Sequence, residues 1–93
     1  MTAPIRFEEE LTVKTGRYMV VIYNDDHTPY NAVISVLIAA TGCDHSEAEI
    51  ETWEAHTYGK APVHFDSLEQ CETAARIISS IGVKTEVCKE WND

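Results

Sequence analysis

An apolar run that leads directly into a polar turn constrains the fold of this chain more than any other stretch. The run Tyr18–Tyr23 contains only Tyr, Met, Val and Ile, which is typical of a strand buried on both faces. Residues 24–27 are Asn-Asp-Asp-His, and Thr28-Pro29 then predicts a helix start, with Thr28 as N-cap and Pro29 at the first helical position. We therefore predict a short strand-to-helix turn with amide and carboxylate side chains. Such side chains are also common in turns that bind nothing, because they bond their own backbone.

The remaining apolar pattern predicts three helices and two further strands. Helical spacing predicts helices over residues 29–41, from Asp44 or Ser46 to about Thr57, and over residues 67–81, with a glycine after each. Alternation predicts strands over residues 60–66 and 83–88. The order β-α-α-β-α-β implies an α/β (α+β) fold, a compact domain whose antiparallel or mixed three-stranded sheet carries three helices on one face.

The domain organisation is simple. Residues 17–93 form the predicted core domain, and residues 1–16 are predicted to be a flexible N-terminal extension because they show little periodicity. The alternation of Ile5 with Phe7 and of Leu11 with Val13 leaves an edge strand as the other interpretation of this extension.

The second predicted helix separates its residues into distinct faces at about 100° per residue. Three glutamates predict a stripe facing solvent: Glu47, Glu51 and Glu54. Three small residues predict a face for close packing or for lining a cavity: Ala48, Thr52 and Ala55. His56 lies at the edge of that small-residue face, near the helix C-terminus, where a histidine is often a dipole-stabilised cap without a further role.

Later in the chain, the pattern predicts which side chains are buried. Val63 and Phe65 alternate with His64, so we expect His64 on the exposed face of its strand. In the third helix, Ser67 and Gln70 predict a capping box. Its apolar positions follow helical spacing: Cys71, Ala74, Ala75, Ile78 and Ile81.

Charge and hydropathy exclude several classes of partner. Sixteen acidic and seven basic residues give a formal net charge of -9, which argues against nucleic acid or an anionic membrane as a partner. No apolar stretch approaches the roughly 20 residues of a membrane span, and the chain does not open with a signal peptide. We therefore expect a cytoplasmic protein.

The cysteines predict neither a disulfide framework nor a metal site. Cys43, Cys71 and Cys88 are odd in number, widely spaced and without a Cys-x-x-Cys pair. Cys71 and Cys88 occupy positions expected to be buried and apolar. The run from Cys43 to His45 contains a thiol, a carboxylate and an imidazole, but three adjacent residues are a weak metal signal. We predict no metal and no cofactor.

Two blocks of the sequence resemble the ClpS family, the Clp protease adaptors. Residues 18–29 are similar to the family signature, an apolar strand running into Asn-Asp-Asp-aromatic-Thr-Pro. Residues 55–61, Ala-His-Thr-Tyr-Gly-Lys-Ala, resemble the family's His-x-x-Gly-Lys-Ala helix end. The resemblance covers roughly residues 17–90. It implies a non-enzymatic adaptor that binds a protein by its free N-terminal residue and delivers it to the N-terminal domain of a Clp AAA+ unfoldase for degradation.

The resemblance also implies roles for individual residues. Asn24, Asp26 and His56 match the family's α-ammonium-binding residues, and they suit the task because a buried ammonium needs about three acceptors and a compensating charge. The side chain of the bound first residue would enter an apolar pocket. By motif position, the pocket residues are Asp25 at the rim, Thr28, Tyr30, Val33, Thr52 and Ala55.

Several positions depart from the family pattern. Tyr30 and Thr52 both stand where the family often has Met, and the first of these Met residues gates the pocket against β-branched residues. The pocket is therefore expected to differ in size and to be slightly more polar. Alignment on Cys88 would put Glu86 where a Leu often closes the pocket. The family prefers Phe, Leu, Trp and Tyr as first residue.

Two other functions are compatible with the same pattern. One is a protein-docking domain of the same architecture, as in the C-terminal domain of the ribosomal stalk protein, which would not use Asn24, Asp26 and His56. The other is an enzyme with His56 paired to a cysteine or a carboxylate. The chain has no Gly-rich phosphate loop, nucleophile elbow or metal-spaced ligands, so the sequence argues against an enzyme.

Overall fold

The computed structural model of the protein describes residues 18–90. The predicted N-terminal extension therefore lies outside the described residues, as do Arg17 and residues 91–93. The helices and strands follow one another as β1 (Tyr18–Tyr23), α1 (Tyr30–Thr41), α2 (His45–Tyr58), β2 (Lys60–Asp66), α3 (Leu68–Ser79) and β3 (Thr85–Lys89). This order confirms the predicted β-α-α-β-α-β fold.

The sheet places the most apolar strand at its centre. The strand order is β2-β1-β3, and both pairings of β1 are antiparallel. Alternate residues of β1, Val20 and Ile22, face the helices and are almost fully buried. They pack in one core with Leu37 of α1, Ala48 of α2 and Ile78 of α3. The helices therefore cover one face of a three-stranded antiparallel sheet, as predicted.

A β-bulge in β2 overturns the predicted alternation of His64 and Phe65. Val20 pairs with His64, whereas the next residue, Val21, pairs with Pro62, so β2 has one extra residue at Val63. An extra residue reverses which face the following side chains occupy. His64 therefore lies on the helix face and is partly buried, while Phe65 lies on the open face and is half exposed.

Some predicted helix and strand ends were wrong by one or two residues. Pro29 is the N-cap of α1, with an extended backbone (φ -61°, ψ 143°), and no side chain caps the helix. The hydroxyl of Thr28, the predicted cap, instead donates to the carboxylate of Asp25. Helix α3 ends at Ser79, so Ile81 lies beyond the helix and is exposed. Strand β3 begins at Thr85 rather than at residue 83.

One predicted cap is present, and the predicted capping box of Ser67 and Gln70 is formed only in part, since the Ser67 N–H donates to the Asp66 carboxylate at 2.7 Å instead of to the Gln70 side chain. The Asp44 carboxylate accepts from the backbone N–H of Glu47 at 2.8 Å, and the Ser67 hydroxyl accepts from the N–H of Gln70 at 3.3 Å. Asp44 was one of two candidates for the cap of α2, and the structure selects it. Asp44 thus has a structural use that does not involve a metal.

The cysteines are free thiols. Cys71 is fully buried in the core, as predicted, whereas Cys88 is only partly buried because it lies on the open face of the sheet opposite Met19. Between residues 18 and 90, the structure contains no helix long and apolar enough to cross a membrane.

Glu51 does not belong to the predicted solvent-facing stripe of α2. Its Oε1 atom is buried and has no hydrogen-bond partner in the described part of the chain. The side chain borders a cavity that is also lined by Cys43 and His64. The bulge in β2 places His64 on the side of the sheet that faces the helices. Burial, reinforced by the neighbouring carboxylate of Glu47, raises the pKa of Glu51 to about 8.

Replacing this carboxyl should change how stability depends on pH. The folded protein holds the Glu51 proton with a pKa of about 8, against 4.5 for an ordinary glutamate. Its contribution is therefore fully present below pH 4.5 and is lost as the pH rises through 8. We expect Glu51→Gln to lack this loss. The free energy of unfolding of the variant should therefore increase relative to that of wild type as the pH rises.

Urea denaturation at a series of pH values would measure this difference. Glu49→Gln is the matched control because Glu49 is an exposed glutamate on the same helix. Stability curves for wild type and Glu51→Gln that stay parallel across the whole pH range would contradict the account.

Candidate functional site

A cavity of about 220 Å³ opens where the end of β1, the start of α1 and the last turns of α2 meet. It contains all three residues predicted to bind an ammonium: Asn24, Asp26 and His56. Its remaining walls are Ile22, Tyr23, Asp25, Thr28, Tyr30, Val33, Thr52 and Val83. Of the predicted site residues, Ala55 alone does not line the cavity; it is buried between α2 and the core.

A backbone hydrogen bond brings the two sequence blocks of the site together. The N–H of Asn24 donates to the carbonyl of Gly59 at 2.9 Å, and the N–H of Gly59 donates to the carbonyl of Ala55 at 2.9 Å. Gly59 closes α2 with φ +94°, a left-handed conformation that glycine adopts without strain. The end of β1 is thereby attached to the last turn of α2, where His56 lies.

Asp25 builds the turn that follows β1. Its Oδ1 accepts from the backbone N–H groups of Thr28 at 2.7 Å and His27 at 2.8 Å, and its Oδ2 accepts from the Thr28 hydroxyl at 3.0 Å. These donors, the Thr28 N–H first, hold the pKa of Asp25 below its ordinary value. The carboxylate thus has three partners within the turn, and its main role is structural.

The three predicted ammonium ligands are, by contrast, not engaged by the protein. Within residues 18–90 the side chains of Asn24, Asp26 and His56 form no hydrogen bond, and all three are exposed at the cavity. An amide oxygen, a carboxylate and an imidazole can each accept a hydrogen bond. The cavity therefore has one end where acceptors and a negative charge converge.

Tyr30 stands at the mouth of the cavity against His56. The two rings meet edge to face, with centroids 6.1 Å apart and planes at 85°. This arrangement is favourable for aromatic rings and limits the orientations that the imidazole can take. The departure from Met at this position therefore places an aromatic ring at the entrance, in contact with one of the acceptor residues.

The opposite end of the cavity is apolar. Ile22, Val33 and Val83 contribute aliphatic walls. Thr52 is buried, and its hydroxyl donates to the carbonyl of Ala48 at 2.7 Å, so it offers no hydrogen-bond donor to the cavity. The Thr28 hydroxyl is likewise used within the protein. An alkyl or aryl group is thus the chemistry that fits this end.

The structure corrects the expectation for Glu86. Its partner across the sheet is Val21, so it lies on the open face, where its carboxylate accepts from the Tyr23 hydroxyl and raises the Tyr23 pKa. Val83 lines the cavity in its place. Val83 was missed because its apolar side chain is equally consistent with strand β3, which begins two residues later. Ile22 and Tyr23, also missed, belong to the strand, and no local signal marks them as walls.

Taken together, the geometry suits a small cation that carries an apolar group. Acceptors at one end can bind the cation, and the walls can bury the apolar part. In the described part of the chain, no three His, Cys, Asp or Glu side chains are placed to hold a metal ion.

Comparisons with known proteins relate the chain to one family. The family model described as ATP-dependent Clp protease adaptor protein ClpS matches residues 13–86. The ATP-dependent Clp protease adapter protein ClpS of Leptospira biflexa is 37% identical over 60 residues, which cover 64% of this chain and 53% of that protein. Human E3 ubiquitin-protein ligase UBR1 is 32% identical over 73 residues, 78% of this chain but 4% of UBR1. The chain thus aligns with only part of each of these relatives.

A solved structure has a similar fold. It is Agrobacterium tumefaciens ClpS2 bound to L-phenylalaninamide, with a TM-score of 0.68 and 28% sequence identity. The similarity covers 76% of this chain and 95% of that one. It therefore extends over nearly all of the neighbour.

The two adjacent aspartates should respond differently to mutation. Asp25→Ala removes the acceptor of three hydrogen bonds, so we expect its melting temperature at neutral pH to fall by several degrees. Asp26→Ala is the control, since its carboxylate makes no hydrogen bond within residues 18–90, and it should melt like wild type. The pKa of Asp25 is lower in the folded protein than its ordinary value of 3.8. Its contribution to stability is therefore present above pH 3.8 and is lost as the pH falls through the pKa of the folded state. Calorimetry that finds both variants equally stable would contradict this division of roles.

Proposed function

The chain belongs to the ClpS family of ATP-dependent Clp protease adaptor proteins, and we propose that it binds the free N-terminal residue of substrate proteins. In this proposal it is a non-enzymatic cytoplasmic adaptor that delivers those substrates to the N-terminal domain of a Clp AAA+ unfoldase. The bound residue is of the large hydrophobic type. The site residues keep the roles predicted for them, except that Ala55 supports the pocket from behind and Asp25 maintains the turn.

One observation carries the proposal: three unengaged acceptor side chains line the same cavity as three aliphatic side chains, those of Ile22, Val33 and Val83. An α-ammonium has three N–H donors and one positive charge. Asn24 and His56 each accept one of its hydrogen bonds, and Asp26 accepts the third and balances the charge. Hydrogen bonds to charged groups contribute about 1.5–3 kcal/mol each, so the three together give a strong preference for a free N-terminus.

The apolar end of the cavity supports a hydrophobic first residue. A side chain that leaves the α-carbon of the bound residue would extend toward Ile22, Val33 and Val83. Full burial of a large apolar side chain contributes about 1.5–3 kcal/mol. Neither Thr52 nor Thr28 has a free hydroxyl proton to offer a polar side chain. A polar first residue would therefore lose its hydration without gaining a donor from either threonine.

The ligand of the similar solved structure is consistent with this chemistry. L-Phenylalaninamide, which is bound by Agrobacterium tumefaciens ClpS2, combines a free α-amine with an aromatic side chain and an amide. It therefore has the same α-amine, side chain and carbonyl group as an N-terminal Phe residue of a peptide. The cavity described above presents acceptors for such an amine and apolar walls for such a ring.

Peptide binding measured by fluorescence anisotropy would test the proposal. Labelled peptides should differ only in their first residue: Phe, Leu, Trp, Tyr, Met, Val, Arg and acetylated Phe. We expect micromolar or tighter binding for the large apolar residues. Acetylation, which removes the charge and two donors, should weaken binding by more than about 100-fold.

Matched variants locate the binding site. Asn24→Ala and Asp26→Ala should each lose about 10- to 100-fold in affinity while remaining folded. Asn31→Ala is the control, because Asn31 is an exposed asparagine on α1 that does not line the cavity. Absence of binding to every free N-terminus would instead favour the docking domain of the same architecture.

The role of His56 predicts a pH dependence. The imidazole must be neutral to accept a hydrogen bond from the ammonium, because both nitrogens of a protonated imidazole are donors. We expect affinity for the Phe peptide to fall as the pH decreases toward 5. His56→Gln should bind less tightly but with a flatter pH profile, because an amide accepts without titrating. Equal affinities at pH 8 and pH 5 for the wild-type protein would exclude this role.

A further inference from the structure

Helix α2 exposes a group of large apolar side chains on the side that faces away from the core. Ile50 is 59% exposed, Trp53 50% and Tyr58 71%. We call these three residues the outer patch. None of them lines the cavity described above. Single exposed apolar residues are common on protein surfaces, but contiguous ones mark interaction sites.

The outer patch is contiguous. Ile50 and Trp53 are three residues apart on one helix, so their side chains are neighbours. The rings of Trp53 and Tyr58 are in edge-to-face contact, with centroids 5.9 Å apart and planes at 88°. Because the two rings are already in contact, their side chains would lose less conformational entropy when a partner binds.

Carboxylates surround the outer patch. Helical spacing of three or four residues places Glu47 and Glu54 next to Ile50, and Glu49 next to Trp53. Glu54 also lies four residues before Tyr58. The described cationic groups of this helix are limited to histidines: His45, whose Nδ1 is 4.0 Å from the Glu49 carboxylate, and His56 at the cavity. The apolar centre thus has an acidic rim.

The acidic rim selects among possible occupants. A second copy of this chain would bring the same glutamates against each other, and each copy carries a net charge of -9. Like charges brought together at an interface repel each other and suppress such pairing. The same repulsion disfavours an anionic membrane or nucleic acid. A surface with apolar centre and acidic rim is complementary to a segment with apolar residues flanked by Lys or Arg.

We propose that the outer patch of α2 is a docking surface for a basic amphipathic segment of a partner protein. Trp53 is its anchor, Ile50 and Tyr58 extend the contact, and Glu47, Glu49 and Glu54 pair with the flanking cations at the rim. No residue of the outer patch lines the ammonium-binding cavity. The proposal does not depend on the function assigned to the cavity.

A synthetic peptide can serve as the probe. It would be about 18 residues, or five helical turns, with Leu at helical spacing and Lys on either side of the Leu stripe. Its N-terminus is acetylated, so that it cannot use the ammonium site. Fluorescence anisotropy with the full 93-residue chain should show saturable binding. A scrambled peptide of the same composition should bind more than about tenfold more weakly, since it cannot align both apolar and charged contacts.

Two variants test the patch itself. Trp53→Ser should weaken binding of the amphipathic peptide by more than about tenfold, as truncation of an aromatic anchor does. Phe65→Ser is the matched control, because Phe65 is also 50% exposed but lies on the open face of the sheet. It should bind the peptide like wild type. Asn24→Ala should also bind normally, which separates this surface from the cavity.

A charge exchange tests the rim. Glu49→Lys combined with Glu54→Lys should lose affinity for the Lys peptide and gain affinity for a version with Glu in place of every Lys. This exchange leaves the apolar patch intact, so it remains informative even if Trp53→Ser fails to fold.

Several results would overturn the proposal. They are equal binding of the amphipathic and scrambled peptides, equal loss in Trp53→Ser and Phe65→Ser, or no exchange of preference in the double variant. Concentration-dependent dimers in sedimentation velocity that Trp53→Ser abolishes would assign the patch to a second copy instead.

Discussion

The hydrogen bond from the Asn24 N–H to the Gly59 carbonyl joins the two halves of the candidate site. It connects the end of the central strand to the C-terminal cap of α2. It continues the β1–β2 ladder, in which Tyr23 pairs with Lys60, by one residue, and the side chains of Asn24 and His56 line one cavity beside it. The bond is possible because Gly59 adopts φ +94° at the end of the helix.

The turn after β1 divides its work between adjacent carboxylates. Both carboxylate oxygens of Asp25 accept hydrogen bonds from backbone and hydroxyl donors of the turn itself, whereas the carboxylate of Asp26 makes no hydrogen bond within residues 18–90. Preorganisation of this kind is what a binding site requires, because a ligand then does not have to order the loop that receives it. Asp25 holds the turn in place, and Asp26 beside it presents a carboxylate at the cavity.

Several features could be predicted from local pattern because they depend on a few consecutive residues. The apolar run of β1 and the glycine after α2 were predicted from spacing and residue type, and the cap of α2 was narrowed to Asp44 or Ser46. The faces of β2 could not be predicted in this way. Alternation assumes a regular strand, and the extra residue at Val63 is defined only by its pairing with β1, which moves His64 to the core side and Phe65 to the open face. The solvent exposure of Glu51 was also predicted wrongly, because helical spacing does not show which other parts of the chain pack against a helix.

The sequence by itself determined the fold class and the order of the elements, and the resemblance of two short blocks to the ClpS family proposed Asn24, Asp26 and His56 as hydrogen-bond acceptors for an ammonium. These follow from propensity, periodicity and motif, which are local properties of the chain. Only the tertiary structure decided which side chains meet. It replaced Glu86 with Val83 in the cavity wall, set the ring of Tyr30 against His56, and left Ile50, Trp53 and Tyr58 uncovered within an acidic rim. Such contacts join residues far apart in the chain or depend on what the rest of the protein leaves uncovered, so no local pattern contains them.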